Sequence, residues 1–179
     1  CPIETLPFYW KDVKNLPVTE NRSWDFTKGP ISEWHLDSGG LEYDKATWTN
    51  EGIKLDGSDL NDREDAIPNA YAYTMLNFTD ESEIAMSVKS GQDSDVNFRV
   101  RLYVEDSTNK RGATSYNLKA EEWEALDENG YYLFSSNEFT TLHFDFSTIA
   151  QQIAGKKTVL VFETDDSGGG AGEMIYCRN

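Results

Sequence analysis

The chain has 179 residues, a length that suits a single domain. Its 32 Asp and Glu residues outnumber 16 Lys and Arg, so the formal net charge is -16 at pH 7. This charge excludes nucleic acid as a partner, because neutralising phosphates requires clustered cations. The sequence contains no apolar run long enough for a membrane span and no secretory signal peptide at its start. We therefore expect a mature chain or one excised from a larger protein.

The first 22 residues differ from the rest of the chain. They contain three of the five prolines and show no clean hydrophobic period. We predict that residues 1–22 form an extended leader or linker, which packs Phe8 and Trp10 onto a domain formed by residues 23–179.

Short strand-like segments follow, separated by clusters of Gly, Asp and Asn. Alternating or continuous apolar residues predict strands because strand side chains point to opposite faces with a period of two. The segment 158–165, TVLVFETD, is apolar on both faces over its first five residues and is predicted to be a central strand. The predicted strands are 23–26, 52–56, 70–76, 83–90, 97–106, 114–119, 141–147, 158–165 and 173–178.

Helical signals are few. Residues 120–128 have the composition of one or two helical turns, and residues 146–155 have a Ser or Thr cap and end at Gly155. Both segments are too short to form a layer of an α/β fold. Many short strands and little helix predict an all-β protein, a jelly-roll β-sandwich of two antiparallel sheets with one or two short helical turns.

The predicted strand 97–106 has an unusual reverse face. Phe98, Val100, Leu102 and Val104 alternate with Arg99, Arg101, Tyr103 and Glu105. The polar set indicates either a ligand-binding face or a ladder of cross-strand ion pairs on a solvated face. The sequence leaves both open.

The order of several segments resembles a known family. These segments are WDFTKGPISEW (24–34), GIKLDGSD (52–59), FDFSTIAQQIAGKKTVLVFETDDS (144–167) and GEMIYCR (172–178). Together they resemble the galactose-binding-like jelly rolls that serve as carbohydrate-binding modules of bacterial polysaccharide-degrading enzymes. The resemblance implies a secreted or cell-surface monomer that binds a polysaccharide and has a catalytic domain as its neighbour.

The resemblance also suggests a ligand site. In such modules an inner strand face or the loops at one rim contact the sugar, with aromatic rings on its C–H faces and Arg or Glu on its hydroxyls. Edge-of-core packing is the alternative for each tryptophan, and a solvated strand position is the alternative for the histidine. The predicted ligand-binding residues are Arg99, Arg101, Tyr103, Glu105, His143, Trp34, Trp48 and Trp123.

A calcium site is a further expectation from the resemblance. Residues 55–65 are acidic, but they fail the EF-hand spacing because Leu60 or Arg63 would occupy the fifth position. Similar modules frequently hold one structural Ca²⁺ near the first and last strands, where Asp25 and Glu173 lie in this sequence. We predict these two carboxylates as ligands, with ordinary solvated acids as the alternative.

The evidence for catalysis is thin. His35 and His143 are the only histidines and have no zinc-like spacing to each other or to cysteine. Glu83 and Glu105 are the alternative catalytic pair, as in a small β-sandwich glycoside hydrolase or polysaccharide lyase with two carboxylates across a cleft. A structural or adhesion module that binds protein is the third possibility. The primary prediction is a non-catalytic module.

The two cysteines, Cys1 and Cys177, lie near the two ends of the chain. They are predicted to form a disulfide if the protein is exported. Two buried thiols, or a lipid-bearing Cys1, are the alternatives.

Overall fold

The computed structural model describes residues 9–37, 46–56, 70–91, 95–165 and 174–178; for residues 165 and 174–178 only the backbone is considered. Two short helices are present, α1 (Trp10–Val13) and α2 (Ala150–Ile153), with 3₁₀ turns at Phe26–Lys28 and Ser147–Ile149. No helix among these residues is long and apolar enough to cross a lipid bilayer. The strands are β1 (His35–Asp37), β2 (Ala46–Thr49), β3 (Gly52–Asp56), β4 (Ala70–Asn77), β5 (Glu83–Ser90), β6 (Val96–Glu105), β7 (Ala113–Leu118), β8 (Tyr132–Phe134), β9 (Thr140–Asp145), β10 (Lys157–Asp165) and β11 (Met174–Arg178).

The strands form two antiparallel sheets, and the predicted jelly-roll β-sandwich is confirmed. The first sheet has the order β1-β4-β10-β6-β7, with β8 also paired to β6. The second has the order β2-β3-β11-β5-β9. β10 lies in the middle of the first sheet, as its two apolar faces predict.

Most predicted elements are confirmed, and two are wrong. Residues 23–26 do not form a strand, because the Asp25 side chain accepts a hydrogen bond from Thr27 N and caps the 3₁₀ turn that follows. Residues 120–128 do not form a helix; they run through turns, with an isolated bridge from Ala120 to Phe144. Three short strands, β1, β2 and β8, are additional to the prediction.

The main core lies between the sheets. The apolar set of β6 faces it, since Phe98, Val100 and Leu102 are all 0% exposed. Aromatic side chains from both sheets and from the connecting segments complete this core.

The reverse face of the first sheet carries a second, smaller core. Val13 is buried there, and Trp10 and Leu16 pack beside it. The backbone N–H of Thr19 donates to Met75 O over 2.9 Å, which holds this N-terminal segment against β4. The first sheet is therefore covered on both faces. Phe8, predicted to pack beside Trp10, lies outside the described residues. The sheet residues in this second core are Tyr71, Met75, Tyr103, Ala113, Val159 and Val161.

Candidate functional site

The arginines of β6 belong to a buried ionic cluster on the reverse face of the first sheet. The Nε atoms of Arg99 and Arg101 each donate over 2.7 Å to a different carboxylate oxygen of Glu163 on β10. A second nitrogen of each guanidinium also bonds to Glu163. One carboxylate therefore accepts four hydrogen bonds from two cations. We call Arg99, Arg101 and Glu163 the buried triad.

The surroundings of the triad stabilise its excess positive charge. Arg99 also donates to Asn129 O over 2.8 Å, and its guanidinium carbon lies 4.1 Å from the centroid of the Tyr131 ring. Burial alone would lower the pKa of Arg99, but the Glu163 carboxylate together with Tyr131 and Tyr103 outweighs burial and raises it. The Nη1 atom of Arg101 is buried and has no hydrogen-bond partner among the described residues.

These positions correct the expectation of an open, sugar-facing row. Arg99, Arg101 and Glu163 are all 0% exposed, and Tyr103 is 2% exposed. Glu105 is half-buried and accepts a hydrogen bond from Lys157 N over 3.0 Å. In this structure the row makes contacts within the protein, and its three buried members are not open to a sugar.

The predicted tryptophans lie in the interior or at its margin. Trp123 is buried and stacks on Tyr132 with a centroid distance of 4.5 Å and an interplanar angle of 10°. Trp48 is half-buried and packs edge-on against Phe26 at 6.0 Å. Trp34 is buried between the sheets. The expectation that Trp123 contacts a sugar is therefore corrected, because its ring is buried inside the protein.

His143 lies on the outer face of the second sheet, because its neighbours in β9, Leu142 and Phe144, face the core. Its Nδ1 is 2.8 Å from a Glu122 carboxylate oxygen, and this hydrogen bond raises the pKa of His143. The structure therefore does not bring His143 to the same surface as Arg101, which is on the other sheet.

The alternative catalytic pair is not assembled. Glu105 lies on the reverse face of the first sheet, whereas Glu83 is exposed on the second sheet. Their neighbours Val104 and Ile84 pack in the core between the sheets. Glu105 therefore lies on the reverse face of the first sheet and Glu83 at the start of β5 in the second sheet, and the two carboxylates share no cleft.

The predicted metal and disulfide sites lie partly outside the described residues. Asp25 caps the 3₁₀ turn, while Glu173 is not described. Within the described ranges no group of three or more His, Cys, Asp or Glu residues could hold a metal ion. Cys1 and the side chain of Cys177 are likewise not described. The calcium ion and the disulfide stay predictions.

A cleft of about 480 Å³ opens between residues of the two sheets and the segment that precedes β1. Among the described residues, β5 is paired on both sides only at Ser87 and Val88, and its first residues flank the cleft. We call this the tryptophan cleft. It is lined by Arg22, Ser23, Trp24, Phe26, Trp34, Leu76, Phe78, Glu81, Glu83, Ile84, Ala85, Met86, Ser87, Thr141, Leu160 and Phe162.

Aromatic rings form much of the lining of the tryptophan cleft. Trp34 stacks on Phe162 at 5.2 Å, and Trp24 meets Trp34 edge-on at 5.4 Å with an interplanar angle of 88°. The indole nitrogens of Trp24 and Trp34 are both buried and have no hydrogen-bond partner among the described residues.

The polar part of the lining contains one cation, Arg22, and four of its five N–H donors are already used. Arg22 donates from Nε to Glu81 over 2.9 Å, from Nη2 to Asn77 O over 2.8 Å and from Nη1 to Asn21 O over 3.1 Å. The hydrogen bond from Arg22 lowers the pKa of Glu81 to about 2, so this carboxylate is ionised at neutral pH. Glu83 is exposed, and its carboxylate has no hydrogen-bond partner in the part of the chain that the structure describes.

Sequence reasoning found part of this site and missed the rest. Trp34 is among the predicted ligand residues, but Trp24 lies in a predicted strand and Arg22 at the end of the predicted leader. The signal available was the close spacing of Trp24, Phe26 and Trp34. Arg22 and Glu81 are 59 residues apart in the sequence, so no local sequence pattern indicates their contact.

No protein-family model matches the sequence, and no curated protein matches it. Among solved structures, the fold is similar to the xylan-binding module CBM15, with 14% identity, a TM-score of 0.47, and coverage of 82% of this chain and 87% of that chain. It is also similar to the CBM22-1–GH10 modules of endo-1,4-beta-D-xylanase 10B from Clostridium thermocellum, with 11% identity, a TM-score of 0.44, and coverage of 87% of this chain and 26% of that chain. A third similar structure is tailspike protein 4 of bacteriophage CBA120, with 14% identity, a TM-score of 0.43, and coverage of 89% of this chain and 20% of that chain. The chain spans about a quarter or less of the last two.

Proposed function

We propose that this chain is a non-catalytic carbohydrate-binding module and that the tryptophan cleft is its binding site. The observation that carries the proposal is a cleft that combines an aromatic lining with exposed polar side chains at its edge. A sugar ring offers both complements, an apolar C–H face for the aromatic surface and hydroxyl groups for the polar edge.

The remaining lining suits a sugar as well. Ser23, Ser87 and Thr141 supply hydroxyl groups, and Glu83 supplies a carboxylate that can accept from sugar hydroxyls. The volume of about 480 Å³ lies within the usual range for small-ligand sites. The sequence resemblance to carbohydrate-binding modules points to the same ligand class, and implies export and a neighbouring polysaccharide-active enzyme.

The absence of a catalytic pair in the described site favours binding over turnover. The hydrogen bond from Arg22 lowers the pKa of Glu81, whereas a glycosidase acid needs a raised pKa.

Calorimetric titration with a panel of oligosaccharides, run beside a reducing-sugar assay, tests the proposal. Trp24→Ala should weaken binding about tenfold or more, equivalent to about 1.4 kcal/mol. Trp24→Phe retains a ring but removes the indole donor, so it should lose only part of that affinity. Tyr9→Ala, at an exposed aromatic residue outside the cleft, is the control and should leave binding unchanged.

Three outcomes would contradict the proposal. Release of reducing sugar would show that the chain is an enzyme. Neither binding nor turnover of any glycan in the panel would favour a structural or adhesion role. Loss of binding in Tyr9→Ala but not in Trp24→Ala would place the site outside the tryptophan cleft.

A further inference from the structure

We propose that the tryptophan cleft selects glycans carrying free amino groups, such as oligomers of glucosamine, and rejects glycans built from uronic acids. The inference rests on the proposed function and adds the charge class of the sugar. It is carried by the charged groups that surround the cleft and by the bonds that those groups already make.

Carboxylates dominate the edge of the cleft. Glu81 and Glu83 line it, and Asp145 lies directly opposite Glu83 in the pairing of β5 with β9. Asp80 is exposed beside Glu81. Arg22 is the only cation among the lining residues. The charge around the cleft therefore has the same sign as the net charge of -16. Both the carboxylates near the cleft and the charge of the whole chain attract cations.

The single cation has little capacity left for a ligand carboxylate. Four of the five N–H donors of Arg22 bond to acceptors of the protein, including the carboxylate of Glu81. A uronate that forms a two-bond contact with Arg22 would need it to give up one of these bonds. It would also approach the carboxylates of Glu81 and Glu83, and like charges disfavour that approach.

Glu83, in contrast, is open to a cationic group. Its carboxylate is exposed, lines the cleft and has no hydrogen-bond partner among the described residues. An ammonium group on a sugar can donate to this carboxylate while the sugar ring contacts the aromatic surface of Trp24. The same cleft would hold the N-acetylated sugar without that ionic bond.

This selectivity is tested by titrating the intact protein with three hexamers, those of glucosamine, N-acetylglucosamine and galacturonate. At low salt (~10 mM), where charges act over ~30 Å, the glucosamine hexamer should bind about tenfold more tightly than its acetylated form, and galacturonate should bind weakest. At ~1 M salt the advantage should shrink to a few-fold, because screening reduces the range to ~3 Å.

Two matched variants separate the cleft from the general charge of the chain. Glu83→Gln should remove most of the preference for glucosamine and leave the affinity for N-acetylglucosamine nearly unchanged. Glu128→Gln, an equal change of charge at an exposed turn residue outside the cleft, should leave the preference intact. Melting curves of both variants confirm that they fold.

Several results would overturn the inference. Tighter binding of galacturonate, or a glucosamine preference that Glu83→Gln and Glu128→Gln reduce equally, would remove the role of Glu83. Hexalysine binding as tightly as the glucosamine hexamer would show a site for cationic polymers and not for sugars. Equal binding of the glucosamine and N-acetylglucosamine hexamers would reject the selectivity alone, whereas no binding of any glycan would reject the proposed function with it.

Discussion

Removing the charge of Glu163 should destabilise the protein far more than removing one of the arginines that it binds. Glu163→Gln leaves two guanidinium groups, each 0% exposed, without a counter-charge. Arg101→Met leaves the neutral pair of Arg99 and Glu163 and also removes the Nη1 atom that has no partner. The two substitutions therefore test the same cluster with opposite electrostatic consequences.

The magnitudes follow from what each variant leaves behind. Removing one partner of a buried ion pair costs ~3–5 kcal/mol because the other charge stays buried and unpaired. We expect a loss of this size for Glu163→Gln. For Arg101→Met we expect less than ~2 kcal/mol, since an apolar side chain of similar length fills the space and no unpaired charge remains.

Urea unfolding monitored by fluorescence and circular dichroism measures the loss of unfolding free energy in both variants, and thermal unfolding gives the change in melting temperature. For a domain of this size 1 kcal/mol shifts the melting temperature by about 2–4 °C, so Glu163→Gln should lower it by about 6–20 °C. Glu128→Gln is the exposed control and should change the unfolding free energy by less than ~0.5 kcal/mol. The reasoning is refuted if Glu163→Gln costs no more than this control, or if Arg101→Met costs more than Glu163→Gln.

Three further predictions concern other parts of the molecule. Val13→Ala should cost roughly 2 kcal/mol in urea unfolding because Val13 is 3% exposed against the first sheet; no change would show that the N-terminal segment adds nothing to stability. In NMR titrations His143 should titrate above its ordinary 6.5 because of its hydrogen bond to Glu122, and His35 below it because of burial. The contribution of His143 to the free energy of unfolding is then complete below about pH 6.5 and is lost as the pH rises through the raised pKa of the folded state. Glu122→Gln should abolish this shift of the His143 pKa. Gly29→Ala should cost about 1–3 kcal/mol and alter the near-ultraviolet dichroism, since the new Cβ would lie 2.1 Å from Trp48 Cε3; unchanged spectra and stability would contradict this packing.

The strands were predictable where they were long enough to show a period. β5, β6 and β10 have eight or more residues each, and their alternation or continuous apolarity was readable. β1, β2 and β8 have three or four residues, too few for a period of two to stand out. Residues 120–128 have a helical composition but form no helix, because Trp123 is buried against Phe98 and Phe144.

The arginine row shows why the site was harder to predict than the fold. Alternation placed Arg99, Arg101 and Tyr103 together on one face, and that grouping is correct. Whether the face was open depended on Glu163, 62 and 64 residues further along the chain, and on the N-terminal segment that packs over the same sheet. Glu163 directly follows the apolar run of β10, and a glutamate at the end of a central strand was the sign in the sequence of a buried partner for the arginines.

The buried triad and the tryptophan cleft are built on opposite faces of the same strand. Phe162 contributes to the cleft, and the next residue, Glu163, points to the reverse face and binds both arginines. A shift of β10 by one residue would exchange these faces, placing a carboxylate in the apolar core and leaving two buried guanidinium groups without a partner. Apolar residues on both faces of β10 would by themselves penalise such a shift only weakly. The triad therefore fixes the register of β10 against β6, and with it the position of Phe162 beneath the ring of Trp34.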